Sequence, residues 1–226
     1  MFMKKTGNIF SDNWNFFIGY FLFLFVCILI FSFTSKPEGF FLLNTYHNKI
    51  ADWFFIIYTN VGDGLFAIAI FLLLLIKRRP LPGWEIIFTF LLSGLLAQIL
   101  KYFFPMPRPK TLLGDSGYTH FIDGVTHVGN ASFPSGHSAT AFGVALILSI
   151  FEKNKKRSML YFFAAVLVGY SRVYLGQHFL QDVFFGSMIG VVSALIVYFT
   201  IDNKPSWLKK MKVRELQYRD ENSKTD

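Results

Sequence analysis

The run SRVYLGQHFLQD at positions 171–182 sets an arginine, a histidine and an aspartate between two apolar stretches. Two other polar runs do the same: KYFFPMPRP at 101–109 and FPSGHSAT at 133–140. Ionisable groups at the ends of apolar segments are costly, which makes them candidates for function. Their types suit an anion, and more narrowly a phosphate. Arg108 and Arg172 offer planar forks of donors to phosphate oxygens, while Lys101 supplies a compact charge on a flexible stem. Ser135 and Gly136 open a helix whose free N–H groups and dipole favour negative charge, and glycine lets the backbone approach closely. Donors aimed at the oxygens of a transferring phosphoryl group stabilise the charge that develops there, so such a cage is suited to catalysis as well as to binding.

Two histidines take distinct parts. His178 and Asp182 stand four apart, which places them on one face of the last helix; the carboxylate can accept Nδ1–H and present a neutral Nε2 as nucleophile. His137, beside the anion site, is placed to protonate the departing oxygen as general acid. No cluster of side chains resembles a divalent-metal cage, and the positive charge a two-metal phosphatase borrows from ions is supplied by Lys101, Arg108 and Arg172. The bland alternatives are plain. Lys101 and Arg172 could snorkel at span ends, and Ser171 reads as a backbone-capping or arginine-positioning residue rather than a nucleophile. His120 and His127 fall in a polar loop expected to be solvated and to contact headgroups, and Asp63 in NVGDG reads as a turn or helix-end residue, with orienting an active-site group as the lesser alternative.

The elements that must carry these groups are transmembrane helices. With 53% hydrophobic residues and 29 phenylalanines among 226 residues and a mean hydropathy of +0.43, the chain is too apolar for a soluble domain of this size. A span needs about 20 apolar residues, and six segments qualify or nearly so: 15–33, 53–76, 84–104, 134–151, 159–174 and 179–201. The expectation is an all-α polytopic membrane protein with six transmembrane helices. NVGDG at 60–64 either interrupts the second span or marks its outer turn. Sixteen of the 22 lysines and arginines fall at 4–5, 77–79, 153–157 and in the tail. The positive-inside rule therefore places both termini in the cytoplasm and the active site at the outer face. The net charge of +8 is explained by this clustering, with no continuous stripe for a nucleic acid. Residues 1–202 read as one transmembrane domain, with the motif core at 101–182, and 203–226 as a polar, basic cytoplasmic tail. The single cysteine, Cys27, sits in an apolar run and cannot form a disulfide within the chain.

Three runs in this order, with this internal spacing, resemble the signature of the type 2 phosphatidic acid phosphatase superfamily. These are membrane lipid phosphatases related in their active site to bacterial acid phosphatases and vanadium haloperoxidases. Lysine, six residues, then arginine-proline is met by Lys101 to Pro109; PSGH by Pro134 to His137; serine-arginine, five residues, histidine, three residues, aspartate by Ser171 to Asp182. The resemblance implies that His178 is phosphorylated during turnover with Asp182 orienting it. It implies that His137 is the acid on the leaving group and then helps activate water. Lys101, Arg108, Ser135, Gly136 and Arg172 would bind the phosphoryl oxygens, with no metal or other cofactor. It further implies a lipid phosphate or diphosphate substrate: undecaprenyl diphosphate, phosphatidylglycerol phosphate, phosphatidic acid or a lipid A phosphate. The partners would be that substrate and membrane lipids, and the setting the bacterial inner membrane with the site facing the periplasm or exterior. A phosphotransferase using the same intermediate, or a non-catalytic lipid-phosphate binding or transport protein, are the alternatives.

Overall fold

The structure is a computed structural model that describes residues 8–118, 120–152 and 154–202. Ten α-helices and a short 3-10 turn account for the ordered elements among them. A brief α1 (Ile9–Asp12) leads into α2 (Trp14–Phe33), the first long apolar helix. Ser35 and Glu38 then form a reciprocal capping box that starts α3 (Lys36–Leu43). Asn48 caps α4 (Lys49–Tyr58). A 3-10 turn over Thr59–Gly62 separates it from α5 (Gly64–Ile76), whose N-cap is Asp63. The helices α6 (Pro80–Phe103), α7 (Pro109–Leu113), α8 (Gly136–Phe151), α9 (Lys155–Tyr174) and α10 (Leu180–Asp202) complete the chain.

Among the described residues, α2, α6 and α10 are each long and apolar enough to cross a membrane, and α4 with α5, bent by 60° at the break, together pass the same test as a broken span or a re-entrant loop. NVGDG therefore interrupts the second segment rather than ending it. The 16-residue α8 rises only about 24 Å at 1.5 Å per residue, short of a hydrocarbon core of about 30 Å. Its position explains how so short an apolar helix persists: it is buried without a break from Ser138 to Ile147 and packs against α6, α9 and α10. α9 is long enough at 20 residues, but basic residues at its two ends, Lys156 and Arg157 at one and Arg172 at the other, lower its hydropathy. α1, α3 and α7 are not expected from sequence, being short and lying outside the apolar runs.

α8 and α10 touch backbone to backbone. A Cβ at Gly190 would lie 2.2 Å from the carbonyl oxygen of Ala139, and one at Gly186 would lie 2.4 Å from that of Ser135. Glycine at these positions lets the helices close to a distance that larger residues forbid. The contact seats the start of α8 beside the start of α10. The segment from Pro105 to Phe133 is stapled rather than free: Met106 and Ala131 pair in a parallel bridge, and Arg108 N donates to Gly129 O at 2.9 Å. The segment also docks on the turn between α9 and α10, where Thr126 Oγ1 donates to Leu175 O and the Gln177 amide to Val125 O. The tail at 203–226 and Lys4 and Lys5 lie outside the described residues.

Candidate active site

The turn between α9 and α10 holds the centre of the site. Arg172, in the last turn of α9, is 6% exposed, His178 2%, and Asp182 0%. The carbonyl of Arg172 accepts from the backbone N–H groups of both Gln177 and His178, which curls the chain so that the arginine and the histidine stay together. Gly176 allows this bend with φ of +62°. α10 begins at Leu180, so His178 precedes the helix instead of lying on its face. The pair therefore spans the helix start. Asp182 Oδ2 accepts from Phe179 N at 2.9 Å, as the acid of a capping box does, from Ser132 Oγ at 2.6 Å, and faces His178 Nδ1 at 3.5 Å. Burial pushes the His178 imidazole down to about 4, with Asp182 opposing and Arg172 and Arg108 adding to the shift. The ring is thus neutral at pH 7, the state a nitrogen nucleophile requires.

The second run joins the third through the main chain. Ser135 N donates to Asp182 O at 2.9 Å, and the Ser135 hydroxyl caps α8 by accepting from Ser138 N at 3.3 Å. A Cβ at Gly136 would meet no atom within 4 Å, so glycine leaves room for a ligand at the helix start. The first run joins as well: Arg108 Nη1 donates to the backbone and side-chain oxygens of Gln177 at 2.9 and 3.1 Å. Lys101, in the last turn of α6, and His137, in the first turn of α8, line one cavity of about 500 Å³ with Asp63, Gly136 and Thr140. Its remaining walls include Leu65, Ile68, Phe90 and Ala97. Electrostatic interactions link His137 with Arg172, His178, Lys101 and Arg108. Of the eight expected site residues, Lys101, Gly136 and His137 line this cavity, while Arg108, Ser135, Arg172, His178 and Asp182 lie at or are bonded to the adjoining turn between α9 and α10.

Three contributors carried no clear signal in the sequence. Thr59, in the 3-10 break, accepts from Arg172 Nη1 at 2.6 Å and fixes the guanidinium. Ser132 anchors Asp182, and Gln177 holds Arg108. Ser171 lies within α9, where its hydroxyl bonds back to Val168 O at 2.6 Å rather than capping a helix end. Both loop histidines are exposed, as a solvated loop implies. His120 stacks on His47 with ring planes 4° apart, and His47 stacks on Tyr174; parallel rings do not converge on one ion. His127 is exposed and senses Arg108 and Arg172, and burial with these two cations lowers its pKa. Among the described residues no three His, Cys, Asp or Glu side chains are grouped to hold a metal ion.

A profile described as the PAP2 superfamily matches residues 82–206. The chain belongs to that superfamily. Among its PAP2 relatives, the lipid A 4′-phosphatase of Porphyromonas gingivalis is 28% identical over 70% of each chain. Phosphatidylglycerophosphatase B of Bacillus subtilis is 31% identical over 60% of this chain and 64% of its own. The crystal structure of Aquifex aeolicus LpxE superposes on this PAP2 fold with a TM-score of 0.65 and 34% identity, covering 74% of this chain and 96% of that one. The PAP2-type phosphatidylglycerolphosphate phosphatase of Bacillus subtilis shares the fold at 22% identity, with a TM-score of 0.60 over 85% and 98% of the two chains.

Proposed function

We propose that this protein removes the terminal phosphate of a lipid phosphate or diphosphate at the outer face of the membrane, through a phosphohistidine on His178. As a PAP2 member with relatives named phosphatases, it is a phosphoric ester hydrolase. The finer reading is supported by one observation: hydrogen bonds from Ser135 to Asp182, Arg108 to Gln177 and His178 to Arg172 tie three distant runs together beside the cavity that Lys101 and His137 line. His178 Nε2 attacks phosphorus while Asp182 faces Nδ1. The bond from phosphorus to the lipid oxygen breaks, its electron pair leaves with that oxygen, and His137 supplies the proton. Water then attacks phosphorus and gives a proton to His137, and the phosphorus–nitrogen bond returns its pair to His178. Lys101, Arg108, Ser135, Gly136 and Arg172 bind the phosphoryl oxygens and balance their charge throughout.

A lipid substrate is supported by the cavity, whose cationic end passes into apolar walls. It is supported also by the relatives, named for lipid A, phosphatidylglycerophosphate and undecaprenyl diphosphate. Six spans, α2, α4 with α5, α6, α8, α9 and α10, with both termini cytoplasmic in a bacterial inner membrane, fit the placement of the basic clusters. The test is inorganic phosphate release by the purified protein across a panel of lipid phosphates and diphosphates with a chelator present. Release from at least one lipid, lost in His178→Ala, is expected. Release undiminished in that variant would remove the nucleophile, and dependence on added magnesium would contradict charge neutralisation by the three cations.

A further inference from the structure

The reaction asks His137 to hold a proton until the lipid oxygen departs, and its surroundings work against that. Electrostatic interactions join it to Arg172, Lys101 and Arg108, three cations, and to His178. A positive ring in such company is disfavoured unless negative charge stands nearby. The substrate's phosphoryl oxygens provide some. On the protein side, Asp63 Oδ2 lies 3.9 Å from His137 Nε2, and the same carboxylate interacts with Arg172.

The chain is built to put Asp63 there. The 3-10 turn over Thr59–Gly62 breaks the second span and presses against α8: a Cβ at Gly62 would lie 2.9 Å from the carbonyl oxygen of His137 and 2.6 Å from Val168 Cγ1. Asp63 follows at once, its Oδ1 occupied as the cap of α5 by Leu65 N at 2.8 Å, which leaves Oδ2 to face the histidine. Its side chain borders the cavity that Lys101 and His137 share.

We infer that Asp63 is a positioning residue for the general acid, the counterpart on His137 of what Asp182 is on His178. At 3.9 Å the contact is an ion-pair distance, and catalytic contacts of this kind commonly shorten once substrate is bound. The carboxylate takes Nε2–H, so Nδ1 is the nitrogen that gives its proton to the lipid oxygen and later receives one from water. Asp63 itself exchanges no proton. This inference rests on His137 being the acid.

Leaving-group dependence tests it, because a nitrophenolate departs without protonation and an alkoxide does not. The full-length protein is assayed with a lipid alkyl phosphate and with p-nitrophenyl phosphate. Asparagine caps a helix as well as aspartate does, so Asp63→Asn keeps the start of α5 and removes the charge. The ratio of kcat on the alkyl ester to kcat on the aryl ester should fall at least about tenfold, within the range of general acid catalysis, with KM for the alkyl ester little changed. Asp63→Glu should restore part of the ratio. Adding Asp63→Asn to His137→Gln should cost nothing further in the ratio. An equal loss on both esters, or no loss, overturns the inference. Should Asp63→Asn fail to fold, by its thermal midpoint, Asp63→Ser serves as the second uncharged cap under the same criteria. The two readings fail separately. A shifted ratio in His137→Gln with none in the Asp63 variants sinks Asp63 alone, whereas an unshifted ratio in His137→Gln sinks the acid and this inference with it.

Discussion

The proposed nucleophile, His178, is governed by what its aspartate touches. Asp182 is wholly buried and spends its Oδ2 on Ser132, Phe179 N and His178. Asp182→Asn keeps the shape but turns an amide toward Nδ1, and kcat should fall by at least about 100-fold, since the wrong tautomer is then favoured. Ser132→Ala removes one charge-assisted bond to the carboxylate and should lower kcat about tenfold, with KM unaffected. The pH dependence follows from His178. An ordinary histidine titrates near 6.5 and this one near 4, so below 6.5 an unfolded chain takes up a proton that the folded one refuses. His178 thus contributes stability above pH 6.5 that is lost as pH falls toward 4. The thermal midpoint in detergent should decline across that window, and the decline should be shallower in His178→Phe. At this scale the sequence was most informative. Lys101, Arg108, His137, Arg172, His178 and Asp182 stand out in the sequence because a charge at an apolar boundary is conspicuous. Ser132 and Thr59 were missed because a lone serine or threonine has many ordinary uses, and their partners lie 50 and 113 positions away.

Helices place these groups by close packing and by one interruption. α8 lies against α10 at Gly190, where an added methyl would sit 2.2 Å from a backbone oxygen that cannot give way. Gly190→Ala should therefore force the helices apart, at a cost of about 1–3 kcal/mol, seen as a lower thermal midpoint. It should also lower kcat, because the start of α8 is bonded to Asp182. Gly94→Ala is the contrast, since a Cβ there meets nothing within 4 Å, and its thermal midpoint should stay within about a degree or two of the parent. The helices themselves were legible as apolar runs, with boundaries off by a few residues. His178 is expected on the face of α10 because it and Asp182 fit a helical spacing, while Gly176 at positive φ turns the chain so that the helix begins only at Leu180. The broken second span was left open by sequence because glycines and an aspartate suit either a kink or an end, and packing of Gly62 on His137 decides for the kink.

For the molecule as a whole, the stapled segment from Pro105 to Phe133 and the basic residues after α8 should fall on opposite sides of the bilayer. Asp123 is fully exposed. In a variant lacking Cys27, Asp123→Cys should react with an impermeant thiol reagent in intact cells and Lys156→Cys should not; the reverse pattern would invert the topology. Whole-chain hydropathy made the membrane class legible from composition, whereas helix count was harder to read, since α8 is short and α9 carries charges at both ends. The cavity that holds His137 is also walled by Leu65 and Ile68, residues 77% and 40% exposed on the flank of the bundle. If this cavity is the reaction chamber proposed above, its border with the surface that meets acyl chains supplies it from a two-dimensional reservoir. Turnover would then track the mole fraction of substrate within the bilayer, so that diluting it with inert lipid slows the reaction even when its bulk concentration is held constant.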